Sequence, residues 1–117
     1  MINQETSRTD LGTIKIHKNV IASIAAVAAT EIDGVKRVGT VKSSFLELFS
    51  KKDLDAITVE FNKNGEVHID IPIIFKYDCN IPEVANKVQE SIRNALEKMT
   101  SLQIRDIDIS VQGIEKE

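Results

Sequence analysis

The stretch from Tyr77 to Ile114, YDCNIPEVANKVQESIRNALEKMTSLQIRDIDISVQGI, constrains the fold of this chain more than any other. It opens on a turn, where Asn80 can cap orphan amides and Pro82 suits a first helical turn. Val84, Ala85, Val88, Ile92, Ala95, Leu96 and Met99 recur at helical period, which predicts an amphipathic helix with one buried stripe. A short turn follows and the period changes to two. Ile107, Ile109 and Val111 point inward, and Asp106, Asp108, Ser110 and Gln112 point outward. A helix and a strand that are apolar on one side only must bury those sides against another layer.

The chain between Ile57 and Ile73 adds a hairpin of definite register. Ile57, Val59 and Phe61 alternate with Thr58, Glu60 and Asn62; past Asn64-Gly65, Val67, Ile69, Ile71 and Ile73 alternate with His68, Asp70 and Pro72. A two-residue Asn-Gly loop would set Phe61 opposite His68 and mix apolar with polar on one face, which period-two geometry forbids. A three-residue loop, Lys63-Asn64-Gly65, restores parity, with Phe61 facing Val67, Val59 facing Ile69 and Ile57 facing Ile71. This is a type I turn followed by a bulge, with Gly65 left-handed.

Upstream, residues 1–10 read as a polar tail, and Leu11 to His17 alternates as a short strand. Lys18 to Ile32 reads as a helix, with Val20, Ile24, Val27 and Ala28 on one stripe and Ile21, Ala25 and Ile32 beside it. Asp33-Gly34 closes it. Val35 to Val41 is a weak strand broken by Gly39, and Ser43 to Leu54 is a short helix or loop. The expected fold is therefore α+β, in the order β-α-β-β-β-α-β, with two main helices on one face of a mostly antiparallel sheet and the other face polar. A chain of 117 residues forms one domain, from Leu11 to Ile114, with residues 115–117 as a C-terminal tail.

Composition narrows the function. The net charge of −3 lacks the basic surplus that nucleic-acid binding needs, and 4% aromatics supply no base-stacking platform. One cysteine, Cys79, excludes an internal disulfide and fits a reducing, cytoplasmic setting. The uncharged run Val20 to Thr30 is too short to span a bilayer and ends in Glu31 and Asp33, so it reads as a buried helix.

Candidate chemistry is sparse. Cys79 as a nucleophile needs a neighbouring base, and the two histidines, His17 and His68, stand far off in sequence. His68 with Asp70 makes two metal ligands where zinc wants three or four. Asp106 and Asp108 share a strand face but have no partner acid, and read as solvated charges. The five glycines are scattered, so no phosphate loop exists. The expectation is a protein that is not an enzyme, with no cofactor and no metal. Three features carry an interaction reading instead. Phe45, Leu46, Leu48 and Phe49, followed by Lys51 and Lys52, form a candidate partner-docking segment, or else cover the core. Ala22, Ala26 and Ala29 give the first helix small residues away from its main stripe, a candidate self-association face. Glu60, Asp70, Asp106 and Asp108 form a candidate acidic face for a basic partner.

The ordered set of residues resembles the alkaline shock protein family (Asp/Gls type), envelope stress response proteins of Gram-positive bacteria. Gly12, Ile14, Ile16, Val20, Ile24, Ala25 and the turn Glu31-Ile32-Asp33-Gly34-Val35 carry the first half. Tyr77, Ile81, Val84, Ala85, Val88, Gln89, Glu97, Met99, Thr100 and Leu102 carry the second, and Ile107, Asp108, Ile109, Val111, Gly113 and Ile114 close it. Asp78, Ser101 and Asp108 depart from the Gly, Gly and Asn usual there, which bears on the branch rather than the fold. The resemblance implies a non-enzymatic scaffold, self-associating as a homo-oligomer and held peripherally at the inner face of the membrane by a small integral-membrane anchor. The alternative it implies is a cytoplasmic regulator of fatty-acid synthesis that binds an enzyme such as acetyl-CoA carboxylase.

Overall fold

Strand β3 (Val67–Lys76) organises the sheet, because every other described strand pairs with it. The computed structural model describes residues 18–39 and 56–116. The expected strand Leu11 to His17 and the segment Phe45, Leu46, Leu48, Phe49 lie outside the described residues. The described elements are α1 (residues 18–30), β1 (Val35–Val38), β2 (Thr58–Phe61), β3, α2 (Ile81–Met99) and β4 (Ile104–Glu115). The chain is α+β, with both helices and the inner face of the sheet sharing one apolar core.

The β2–β3 hairpin has the register that parity demands. Phe61 faces Val67, Glu60 faces His68, Val59 faces Ile69 and Thr58 faces Asp70. The loop is three residues long, with Gly65 at φ +79°. Asn62 fastens it: its Oδ1 accepts from the amides of Asn64 and Glu66, each at 2.9 Å. Ile57 is buried just before β2.

β1 and β2 lie end to end along one edge of β3. β2 pairs with residues 67–70, β1 with residues 73–75, both antiparallel. Pro72 sits at the junction, and its carbonyl accepts from the Gly39 amide at 2.9 Å. A residue's N–H and C=O leave a strand on the same side, so the missing N–H of Pro72 falls between the two partners and interrupts neither ladder. β4 takes the other edge and runs parallel to β3 over its whole length. Parallel neighbours need a long crossover, and α2 provides it. Two of the three pairings are thus antiparallel and the longest is parallel.

α2 begins as its sequence predicts. Asn80 Oδ1 accepts from the Glu83 amide at 3.1 Å, and Pro82 occupies the first turn. Val84, Val88, Ile92 and Leu96 are buried. Met99, expected in the stripe, is 68% exposed in the last turn. α1 differs more. Its buried stripe is Ile21, Ala22, Ala25, Ala28 and Ala29, whereas Val20 and Val27 are exposed, Val27 at 59%. The helix is rotated by about one residue's turn, roughly 100°, from the expected orientation. Small alanines set α1 close to the sheet, where Val20 and Val27 would hold it off.

The two helices run antiparallel. Gly34, just past α1, meets Val84 early in α2, and Ser91 Oγ donates to the Ala28 carbonyl at 3.0 Å. The outer sheet face is polar only along its first half. Pro72 is buried and Ile74 is 0% exposed, against the expectation of a solvated face. An ion pair from Arg37 on β1 to Glu115 on β4, at 2.9 Å, crosses β3 at the level of Ile74, which faces Arg37 in register.

Gly34 combines φ +105° with a close approach: a Cβ there would stand 2.6 Å from Val84 Cγ2. Gly65 has nothing within 4 Å of the same position. Urea unfolding of Gly34→Ala should show a loss of about 1–3 kcal/mol, the range for strained backbone, and clearly more than Gly65→Ala. Equal losses would mean that backbone strain alone, and not the approach of Val84, fixes glycine at position 34.

Candidate functional site

The alternation in β2, β3 and β4 sends one polar row from each strand to the outer face, and the register aligns these rows. Glu60, His68 and Asp106 form one line across the sheet; Thr58, Asp70 and Asp108 form the next. The expected acidic face is therefore assembled from three strands, and a histidine sits inside it. Asp70 and Asp108 are directly opposite each other, an unfavourable pairing of like charges.

His68 offsets that repulsion. Its Nδ1 bonds the carboxylate of Asp106, and its Nε2 lies 3.7 Å from Asp108 Oδ2. A neutral imidazole has one N–H, so only the imidazolium donates toward both carboxylates. The hydrogen bond to Asp106 is the main cause that raises the His68 pKa above 6.5, partial desolvation opposes it, and the charges of Asp106, Asp108 and Glu60 add to the rise. Lys18 and Arg105 border a shallow depression of about 600 Å³ that also holds Glu60, Glu66, His68 and Asp106.

The other sequence candidates lie apart. Cys79 is half-buried against the core beyond the C-terminal end of β3, whereas His68 lies near its start. At the rise of an extended strand they are separated by roughly 25 Å or more, so they form no nucleophile–base pair. Among the described residues no group of three or more His, Cys, Asp or Glu side chains is arranged to hold a metal ion. Ala22 and Ala29 lie in the core and Ala26 is half-buried against it, so α1's small residues serve packing within the chain. What α1 and α2 expose together is an apolar groove of about 310 Å³, lined by Ile24, Val27, Ala28, Ala95 and Met99.

Two residues that were not among the sequence's site candidates act on β4. Gln89 Nε2 donates to the Ile107 carbonyl at 2.7 Å, and Arg93 Nη1 to the Ile104 carbonyl at 2.8 Å. Both lie on α2 beside its buried stripe. Their spacing of four marks one helix side, but only the parallel placement of β4 shows what they reach.

Fold and surface together define a small two-layer α+β protein that presents a charged sheet face and an apolar groove. The chain matches the alkaline shock protein 23 family, described by a cell envelope-related function, over residues 6–116, and it belongs to that family. It is 35% identical to the uncharacterized protein YqhY of Bacillus subtilis (strain 168), over 98% of this chain and 86% of that one. It is 32% identical to the uncharacterized protein YloU of the same organism, over 92% of each. Among solved structures, the MamM CTD shares the fold at a TM-score of 0.51, with 14% identity, over 85% of this chain and 99% of that one.

The raised pKa of His68 fixes the sign of a pH effect. The folded state holds the proton more tightly, so the stabilisation is complete below about pH 6.5 and is lost as pH rises through the folded-state value. The site is solvent-accessible, so the effect should be small, on the order of 0.5 kcal/mol. Urea unfolding of wild type and His68→Gln at pH 6 and pH 9 checks it: the advantage of wild type should shrink at the higher pH. A constant difference would show that His68 does not bind its proton through these carboxylates.

Proposed function

We propose that this chain is a non-enzymatic interaction module of the cell envelope, self-associating and docking on a membrane-bound protein partner from the cytoplasmic side. The observation that carries this reading is the family match across residues 6–116, with its cell envelope-related description. None of the described helices is long and apolar enough to cross a membrane. In this reading attachment comes through a small integral-membrane anchor.

The surface supports docking by charge. Glu60, Asp70, Asp106 and Asp108 concentrate carboxylates on one rigid sheet face, which favours a cationic segment in the partner and gives association a salt-dependent rate. Phe45, Leu46, Leu48 and Phe49 are the sequence's second docking candidate, through apolar contact.

Affinity capture from native cell extract, beside light scattering of the purified chain, tests the reading. A small integral-membrane protein in the eluate, with scattering well above the 13.0 kDa monomer, is the expected result. A monomer that retains a soluble lipid-synthesis enzyme would overturn the envelope scaffold in favour of enzyme regulation. Phe45→Ser with Phe49→Ser should abolish capture while leaving the unfolding midpoint unchanged. A double variant that unfolds would place these side chains in the core.

A further inference from the structure

We propose that the C-terminal half of β4 is a self-complementary sheet edge through which two copies of this chain pair, strand against strand, in antiparallel register. This deepens the self-association proposed above by naming its surface, and it rests on that reading.

The direction of each peptide group along β4 follows from its hydrogen bonds. The Ile107 carbonyl accepts from Gln89, so Ile107 faces away from β3. The register continues without a shift from Ile107 to Val111, so Ile109 and Val111 also face away. Past the bulge at Gln112, the Glu115 carbonyl accepts from the Tyr77 amide at 2.9 Å, which turns Glu115 toward β3 and Ile114 outward. The edge is therefore divided. Arg93 and Gln89 close its first half by taking the carbonyls of Ile104 and Ile107. Among the described residues no strand or side chain takes the outward groups of Ile109, Val111 and Ile114.

Apolar side chains surface along the same half. On the helix side of the sheet Ile104 and Ile107 are buried and Ile109 is half-buried, but Val111 is 51% and Ile114 52% exposed. Their neighbours on β3, Ile73 and Phe75, are fully buried, so the core layer ends at β4 with its last row uncovered.

The open half matches a second copy of itself. With a two-fold axis between Val111 and Gln112, Ile109 lies opposite the partner's Ile114, and the pair recurs by symmetry. Both residues face outward and both lie on the helix side, as a hydrogen-bonded antiparallel pair requires. Ser110 then lies opposite the partner's Gly113, two small residues on the outer face. A slip of one residue would set apolar against polar faces. At the flank Asp108 approaches the partner's Glu115, but each carboxylate has a basic side chain beside it on its own chain, His68 at 3.7 Å and Arg37 at 2.9 Å. A contact of about seven residues a side falls short of the roughly 800 Å² per partner of a standard interface, so the dimer is concentration-dependent. The closed half of each edge stops the pairing from extending, which gives a two-fold dimer and not a fibre.

Sedimentation equilibrium of the full chain from about 10 to 500 µM, where a micromolar dimer would populate both states, tests the proposal. Wild type should approach twice 13.0 kDa. Val111→Pro removes an outward N–H that β3 does not use, and should weaken association at least about tenfold. Ile114→Lys, at an exposed position, should do the same and stands in should the proline variant not fold, as circular dichroism will show. The amides of Ile109 and Ile114 should gain hydrogen-exchange protection as concentration rises. Wild-type association unaltered in the folded variants would overturn this edge as the surface and leave self-association standing. A wild-type monomer at the highest concentration would overturn both.

Discussion

The parity of β3 is the constraint on which the rest of the structure depends. β1, β2 and β4 each pair with β3 and with no other described strand. The side chains of Val67, Ile69, Ile71, Ile73 and Phe75, all fully buried, form the floor beneath both helices. A shift of one residue would expel that set and bury His68 and Asp70 instead. The hairpin loop guards against the shift. Lys63-Asn64-Gly65 is the length that keeps Phe61 over Val67, and Asn62 binds two amides across it. Register set in this short local loop is passed to β4 through ten residues of parallel pairing, and so decides which residues make the outer face.

The hairpin register follows from strict alternation and was legible in the sequence, although Val111, expected inward by the same rule, is 51% exposed. The hairpin register, the Asn80 cap and four of the apolar positions of α2 stand where the residue pattern puts them. α1 was misread for a physical reason. Apolar side chains occur on nearly every side of it, so helical period alone did not single out the buried side, and the stripe was centred on Val20, Ile24, Val27 and Ala28. Packing selected by fit instead, and Ala22 and Ala29, placed away from the stripe, are 4% and 0% exposed in the core. The parallel pairing of β4 with β3 was not drawn from the sequence, although a helix of α2's length between the two strands is the connection that parallel neighbours need. The burial of Pro72 and Ile74 was not legible either, since alternation puts both on the same side as His68 and Asp70.

The acidic face was legible as a set of residues but not as an arrangement. Alternation alone puts Asp106 and Asp108 outward. It does not say that His68 stands between them and Glu60, which requires the β3–β4 register. The consequence is electrostatic. Four carboxylates on one face repel, and His68, which reaches two of them, lowers the cost of holding β4 against β3 when it carries a proton. The charge of this face is therefore coupled to the strand pairing that builds it.

The two ends of β4 meet opposite solutions to the exposed-edge problem, and the bulges account for the division. Sheet edges attract foreign strands unless covered, twisted or charged. At the start of β4 the chain uses cover: the register shift beside Arg105 brings Ile104 and Ile107 into the outward row, within reach of Arg93 and Gln89 on α2. α2 runs from the far end of the sheet toward this one, and its early turns carry no comparable donors to the edge: Glu83 and Lys87 pair with each other at 3.5 Å. At the end of β4 the bulge at Gln112 restores the inward direction of Glu115, which lets its carbonyl bind Tyr77 and its side chain bind Arg37. That bulge serves the β3–β4 ladder and the ion pair across the outer face. It leaves the short row from Ile109 to Ile114 as the one described length of sheet edge where open backbone and exposed apolar side chains coincide.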